Sequence, residues 1–336
     1  MPTPPTSNPW TGRHDGDGPE HARWHEVISV TTPQDQHEQQ AQEHVSVLGF
    51  RTDEGVRRNR GRVGAAEGPE ALRRALAPLA LHGPVGSGQV AIRDYGDVAT
   101  IGEDLEAGQA AAAEHITAAL DVPGGRMTIV LGGGHETAWS SYLALVNSRR
   151  LRAGSDGRSP RWGVLNLDAH FDLRAEPRPT SGTPFLQMAQ AEQTSGREPL
   201  NYAVLGIAEP SNTASLFATA GRLGVQWMTD VQCAEAGVSG VQGFVADFTH
   251  DLDVLYLTID LDLLPASVAP GVSAPAALGV DTPLVLAAVR AAAATGKLAL
   301  LDVVELNPAL DVDGRTARTA ARLIHETVRS VVGAGA

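Results

Sequence analysis

Three short stretches carry the residue types that metal chemistry needs: "GGGHE" at 132–136, "NLDAHFD" at 166–172 and "TIDLD" at 258–262. Alternate residues of extended backbone point to the same side, so Asp168, His170 and Asp172 reach out as one group, and so do Asp260 and Asp262. His135 makes a sixth ligand. Four carboxylates at one rim repel one another and resist burial unless a strong positive charge lies between them. Four carboxylates and two imidazoles suit two divalent ions. With no thiolate in the set the ligands favour Mn²⁺, while Fe²⁺, Co²⁺ and Zn²⁺ stay compatible by ligand type. Two such ions about 3.5 to 4 Å apart can share a hydroxide that is nucleophilic at neutral pH, which points to metal-assisted hydrolysis. A glycine turn followed by histidine is common by itself. The weight lies in its coincidence with two carboxylate motifs.

Elements must exist that bring these stretches together. Short apolar runs suited to burial on both faces stand at "HVSVLGF" (44), "MTIVLG" (127), "RWGVLNLD" (161), "YAVLGI" (202), "DVLYLTID" (253) and "LALLDVVEL" (298). Between them the spacing predicts helices over Pro69–Ala77, Leu105–Leu120, Glu136–Ser148, Pro184–Gln193, Ala214–Leu223, Pro283–Thr295 and Thr316–Val332. Strand then helix, repeated, is the doubly wound α/β pattern around a parallel sheet. In such sheets ligands sit outside the carboxyl ends of the strands, where all three motifs fall. Residues 1 to about 40, rich in Pro, Gly, Gln, His and Asp, read as a flexible extension outside the core. Residues 41–336 read as one domain, with 147–161 a surface loop.

Composition narrows the function classes. A chain of 336 residues, 43% of them hydrophobic, can bury a large core. Its formal charge of −13 and lack of long basic runs argue against nucleic acid or an anionic membrane, leaving a small molecule as partner. Cys233 is the only cysteine, so neither an internal disulfide nor a thiolate zinc cluster can form within the chain, and a reducing compartment fits. No run reaches the roughly 18 apolar residues of a membrane span. A cytoplasmic protein is expected. His14, His21, His25 and His37 lie in the polar extension and read as solvated, and His115 sits in an Ala-rich helix with no ligand-type partner nearby, so none is given a role.

The motifs resemble those of the ureohydrolase superfamily, the arginases, agmatinases and formimidoylglutamases, over about Leu48 to Thr327. The flanking text is most similar to the formimidoylglutamases: "DEGVRRNRGRVGAAEGPEALR" from Asp53, "SGTPFLQM" from Ser181, "SNT" from Ser211 and "LLPASVAPGVSAPA" from Leu263. The resemblance implies the arginase-type fold, a three-layer α/β/α sandwich around a mainly parallel sheet, and a binuclear manganese centre. One ion would be held by His135, Asp168, Asp172 and Asp260, the other by His170, Asp168, Asp260 and Asp262, with Asp168 and Asp260 bridging. The implied reaction is hydrolysis of N-formimidoyl-L-glutamate to L-glutamate and formamide, a late step of histidine degradation, by attack of the bridging hydroxide. Relatives assemble into symmetric oligomers, which implies a homo-oligomer here.

The departing glutamate nitrogen needs a proton, for which Asp172 is the candidate relay. A cationic amidine wants a planar anionic partner, and Glu305 in "LDVVELNP" stands at a strand end to provide it. The substrate's carboxylates want donors, for which Arg57, Arg58, Arg60 and Arg62 in "EGVRRNRGR" are candidates together with Arg174, Ser181 and Asn212. Where the arginase motif carries a histidine, this chain has Phe185 in "SGTPF", which weakens an arginase reading. An agmatinase or other guanidino-acid hydrolase keeps the chemistry and changes the substrate. A non-catalytic metal-binding regulator on the same fold is the alternative of another class.

Overall fold

The computed structural model describes residues 8–33, 42–154 and 157–333. Nine strands are present among them: β1 (Ile28–Val30), β2 (His44–Arg51), β3 (Ala91–Ala99), β4 (Gly125–Gly132), β5 (Trp162–Leu167), β6 (Tyr202–Ile207), β7 (Gln226–Thr229), β8 (Val254–Asp260) and β9 (Leu298–Val304). The helices are α1 (Trp24–Val27), α2 (Glu54–Arg58), α3 (Gly68–Leu76), α4 (Gly83–Gly86), α5 (Leu105–Leu120), α6 (Thr137–Asn147), α7 (Pro184–Thr194), α8 (Ala214–Leu223), α9 (Asp230–Thr249), α10 (Thr282–Ala294) and α11 (Arg315–Gly333). All strands join one sheet in the order β1-β3-β2-β4-β9-β8-β5-β6-β7. Every pairing is parallel.

Alternation along the strands builds two apolar layers. Ile129 and Leu131 of β4, with Leu255, Leu257 and Ile259 of β8, pack with α3, α9, α10 and α11 through residues such as Leu72, Val245, Val289 and Ile324. Val130 and Tyr256 point the other way, onto Ile116 of α5, Leu145 of α6, Met188 of α7 and Ala220 of α8. This is the three-layer α/β/α sandwich expected from the sequence, and the central strands are buried on both faces as parallel sheets require. No helix among the described residues is long and apolar enough to cross a membrane.

The structure departs from the sequence reading at several places, the short elements β7 and α2 among them. The segment before residue 40 is not free of the core: Trp24 is fully buried, Trp10 stacks on it at 6.3 Å, and β1 adds to the sheet edge by pairing Ile28 with Ile92. Its polar composition hid two tryptophans whose large apolar area rewards docking. Residues 1–7 and 34–41, His37 included, lie outside the described residues. Strand β3 also escaped the reading, because "AIRDYGDVA" is not an apolar run. Its buried Asp94 accepts from Arg73 at 2.8 and 2.9 Å and from Trp10 Nε1 at 2.7 Å, so the charge is paired rather than exposed. Helix α9 was missed because Gly237, with φ 63°, kinks it and breaks the apolar periodicity.

Candidate metal centre

The sheet order places β4, β9, β8 and β5 side by side, so the loops leaving their carboxyl ends meet. His135 follows β4, Asp168 to Asp172 follow β5, Asp260 ends β8 and Glu305 follows β9. The approach is tight: a side chain on Gly133 would come within 1.8 Å of the Thr52 carbonyl oxygen, so only glycine lets this loop lie against the chain after β2. That packing delivers His135 to the cluster.

His135 Nδ1 lies 3.0 Å from Asp172 Oδ2, 3.0 Å from Asp260 Oδ2 and 3.2 Å from Asp168 Oδ2. His170 Nδ1 stands 3.1 Å from Asp262 Oδ2 and 3.4 Å from Asp168 Oδ1. Ligand atoms of His135, Asp168 and Asp172 fall within 4.8 Å of one another, and so do those of Asp168, His170 and Asp262. Asp168 belongs to both groups, one oxygen toward each. Five of the six sequence-derived candidates thus fall into two sets that share Asp168, and Asp260 joins them through its 3.0 Å approach to His135 Nδ1.

The donor chemistry fits cations. His135 Nδ1 and Asp262 Oδ1 are buried atoms without a hydrogen-bond partner. His135 Nε2 meets Thr258 Oγ1 at 3.1 Å, which fixes the ring with its Nδ1 lone pair toward the carboxylates. Asn166 Nδ2 donates to Asp168 Oδ2 at 2.9 Å, the His170 N–H to Asp168 Oδ1 at 2.6 Å, and the Asp262 N–H to Asp260 Oδ1 at 2.8 Å. The carboxylates are therefore aimed, not loose. Thr258, two residues before Asp260 and on the same side of β8, was visible by strand alternation but was passed over.

Without a positive charge the cluster is under electrostatic load. Burial, with the charges of Asp262 and Asp168, holds the Asp260 carboxyl well above its usual range. Burial alone would lower His135, yet the Asp168, Asp172 and Asp260 carboxylates facing its Nδ1 outweigh that and hold the imidazole well above its usual value. Burial pushes Glu136 up to about 7, and burial with the charge of Glu136 pushes Glu305 up to about 8. A carboxyl with a raised folded-state pKa binds a proton that the unfolded chain has released, so stability falls as pH rises between the two values. The raised histidine contributes in the same direction, since its proton-dependent stability is lost at high pH. The metal-free protein is therefore expected to melt at progressively lower temperature from about pH 5 to about pH 8, and a divalent ion should cancel much of that slope. Melting curves across this range, with and without Mn²⁺, check it; a flat metal-free profile would contradict the load.

A cavity of about 390 Å³ opens onto the cluster, lined by His135, His170, Asp172, Asp260, Asp262 and Glu305 together with Asn59, Arg60, Arg62, Arg174 and Ser181. Glu305 is 6% exposed, has φ 69°, and accepts the His135 N–H at 2.8 Å through Oε1. Arg60 and Asp172 also have positive φ, 62° and 47°. Among the described residues, three of the four non-glycine residues in that strained region thus border one cavity, a pattern that marks functional sites.

Four sequence candidates fall differently. Arg57 is bound by Glu54 at 2.6 Å, and Arg58 by Glu54 and Glu106, both at 2.9 Å; neither lines the cavity. Glu54 stands one helical turn before them and captures both guanidiniums, which a run of arginines in text does not reveal. Asn212 is buried away from the cavity, accepting the Phe171 N–H and donating to Ala169 O and Ala208 O, so it braces the ligand loop. Arg62 lines the cavity, but its side chain donates to Val272 O at 2.7 Å and Ser273 O at 3.0 Å. Ser181 accepts from Asn59 Nδ2 at 3.2 Å, and Asn59, between two arginines, was missed. Arg60 and Arg174 line the cavity without an ion pair among the described residues.

Fold and site together define an α/β protein whose parallel sheet presents, at its carboxyl edge, a carboxylate–imidazole cluster able to hold metal. Residues 43–329 match the arginase family, and the chain belongs to that family. A formimidoylglutamase of Nocardia farcinica is 52% identical over 95% of each chain. The formimidoylglutamase structure from Bacillus subtilis superposes with a TM-score of 0.78 at 22% identity, covering 98% of this chain and 95% of that one. A formiminoglutamase of Trypanosoma cruzi, described with Mn²⁺, gives a TM-score of 0.73 at 23% identity, covering 89% of this chain and 98% of that one. The resemblance to formimidoylglutamases read from the motifs is borne out.

Proposed function

We propose that the protein is a metal-dependent hydrolase of C–N bonds in linear amidines that cleaves N-formimidoyl-L-glutamate with water to L-glutamate and formamide, a step of histidine degradation. The observation that carries this reading is one cavity that opens onto the candidate ligand cluster and is lined by a buried carboxylate and by two guanidiniums, of Arg60 and Arg174, with no side-chain partner among the described residues. The name borne by its 52% identical relative supports the substrate.

His135, Asp168, Asp172 and Asp260 would hold one Mn²⁺, and His170, Asp168, Asp260 and Asp262 the second. Bound there, the two ions supply a water that ionises near neutral pH. Glu305, whose carboxyl bound cations and a cationic amidine would draw back into its ionised form, accepts the amidine N–H groups, oriented by the His135 N–H. Arg60 and Arg174 take the two carboxylates of the glutamate portion, and Ser181 adds a hydroxyl beside them. Water adds to the formimidoyl carbon, the bond from that carbon to the glutamate nitrogen breaks, and Asp172 passes the proton that this nitrogen acquires. Its setting would be the cytoplasm, as a homo-oligomer; the lone Cys233 is buried, its thiol pushed by burial up to about 12 and so kept inert.

Incubating the Mn²⁺-loaded protein with N-formimidoyl-L-glutamate, agmatine and arginine in parallel tests the reading. Glutamate and formamide in equal amounts are expected from the first and no urea from the others, whereas urea from agmatine alone would reject the substrate. Arg60→Ala and Arg174→Ala should each raise KM about 10- to 100-fold, the loss of one charge-assisted contact of about 1.5–3 kcal/mol. Arg57→Ala should leave KM within about twofold, because its guanidinium faces Glu54.

A further inference from the structure

A second cavity, of about 360 Å³, is lined by residues of α7 and α8 and shares no lining residue with the first. Its lining is largely apolar: Phe185, Ala189, Pro199, Leu200, Leu223 and Val225. Two arginines supply its positive charge. Arg197 is held by the buried Glu192 through Nε at 3.0 Å and Nη2 at 2.8 Å, so that pair is neutral. Arg222 donates to Thr219 Oγ1 at 2.9 Å and forms no ion pair among the described residues. One uncompensated guanidinium beside a small apolar chamber suits a compact molecule with an apolar body and one negative charge.

The inner wall connects this chamber with the metal ligands. Phe185 and Tyr202 stack at 4.4 Å, and the Phe185 ring meets His135 edge-on at 5.3 Å. The Tyr202 hydroxyl receives Asn166 Nδ2 at 3.1 Å, and the same amide holds Asp168 at 2.9 Å. A ligand against this wall therefore presses on side chains that set His135 and Asp168.

We propose that this cavity is a regulatory binding site for a small aromatic or branched monocarboxylate, and that its occupancy alters metal affinity through the Phe185–Tyr202 wall. The binding half stands on the cavity alone; the coupling half rests on the metal-centre reading above.

Phenylacetate and benzylamine, similar in size and opposite in charge, are the probes. The melting temperature of the metal-free protein should rise saturably with phenylacetate and not with benzylamine. Arg222→Ala, a surface change, should weaken the phenylacetate midpoint at least tenfold, and Val225→Trp, which fills the chamber, should abolish the response. Equal responses to both probes, no response to phenylacetate, or a phenylacetate midpoint unchanged in Arg222→Ala would overturn the site. In the wild type, saturating phenylacetate should shift the Mn²⁺ concentration at half-occupancy at least threefold, and Arg222→Ala should show no such shift at the same concentration. Phenylacetate binding with an unmoved Mn²⁺ midpoint would overturn the coupling, whereas failure to bind Mn²⁺ at all would instead fall on the metal-centre reading.

Discussion

Asp260→Asn is expected to lose bound metal and hydrolytic activity together, with turnover falling on the order of 10³-fold or more. Asp260 lies 3.0 Å from His135 Nδ1 and is oriented by the Asp262 N–H, and in the proposed centre it would bridge the two ions. Losing several kcal/mol of charge stabilisation at about 1.4 kcal/mol per decade of rate gives that magnitude. The same substitution should leave the metal-free protein at least as stable as the parent, because burial and the charges of Asp262 and Asp168 already hold this carboxyl well above its usual range. Metal analysis after dialysis, set beside melting curves, reads both effects. Two ions retained at full occupancy would show that the ligand assignment is wrong.

Glu305→Gln separates substrate recognition from metal binding. Glutamine keeps the shape and an oxygen able to accept the His135 N–H, now 2.8 Å away, but removes the negative charge offered to the amidine. Metal content should be unchanged while kcat/KM drops about 10²- to 10³-fold, the loss of a charge-assisted, two-contact interaction. Loss of metal along with activity would make Glu305 a support for His135 instead of a substrate contact.

What could be read before any coordinates, and what could not, follows from the range of the interactions involved. The candidate cluster was legible because strand alternation is local: Asp168, His170 and Asp172 share a side wherever the strand goes, and the strand-end rule brings them to the same edge as Asp260 and Asp262. Helices α5 and α8 fell at the residues their periodicity gave. Strand β3 depends on Arg73 reaching Asp94 from another element, and the docking of Trp10 and Trp24 depends on a surface formed by distant segments. Neither leaves a local signal. The arginines teach the same lesson, since Arg57, Arg58 and Arg60 are equivalent in text, yet Glu54 turns two away and a left-handed backbone at Arg60 places the third at the cavity.

The most direct test is a titration of the metal-free protein with Mn²⁺, following bound metal and formamide release from N-formimidoyl-L-glutamate in the same samples. Binding that saturates at two ions per subunit, with no release before metal is added and full release only near saturation, is the expected result. Saturation at one ion, or formamide released at the full rate without metal, would contradict a binuclear centre built on His135, Asp168, His170, Asp172, Asp260 and Asp262.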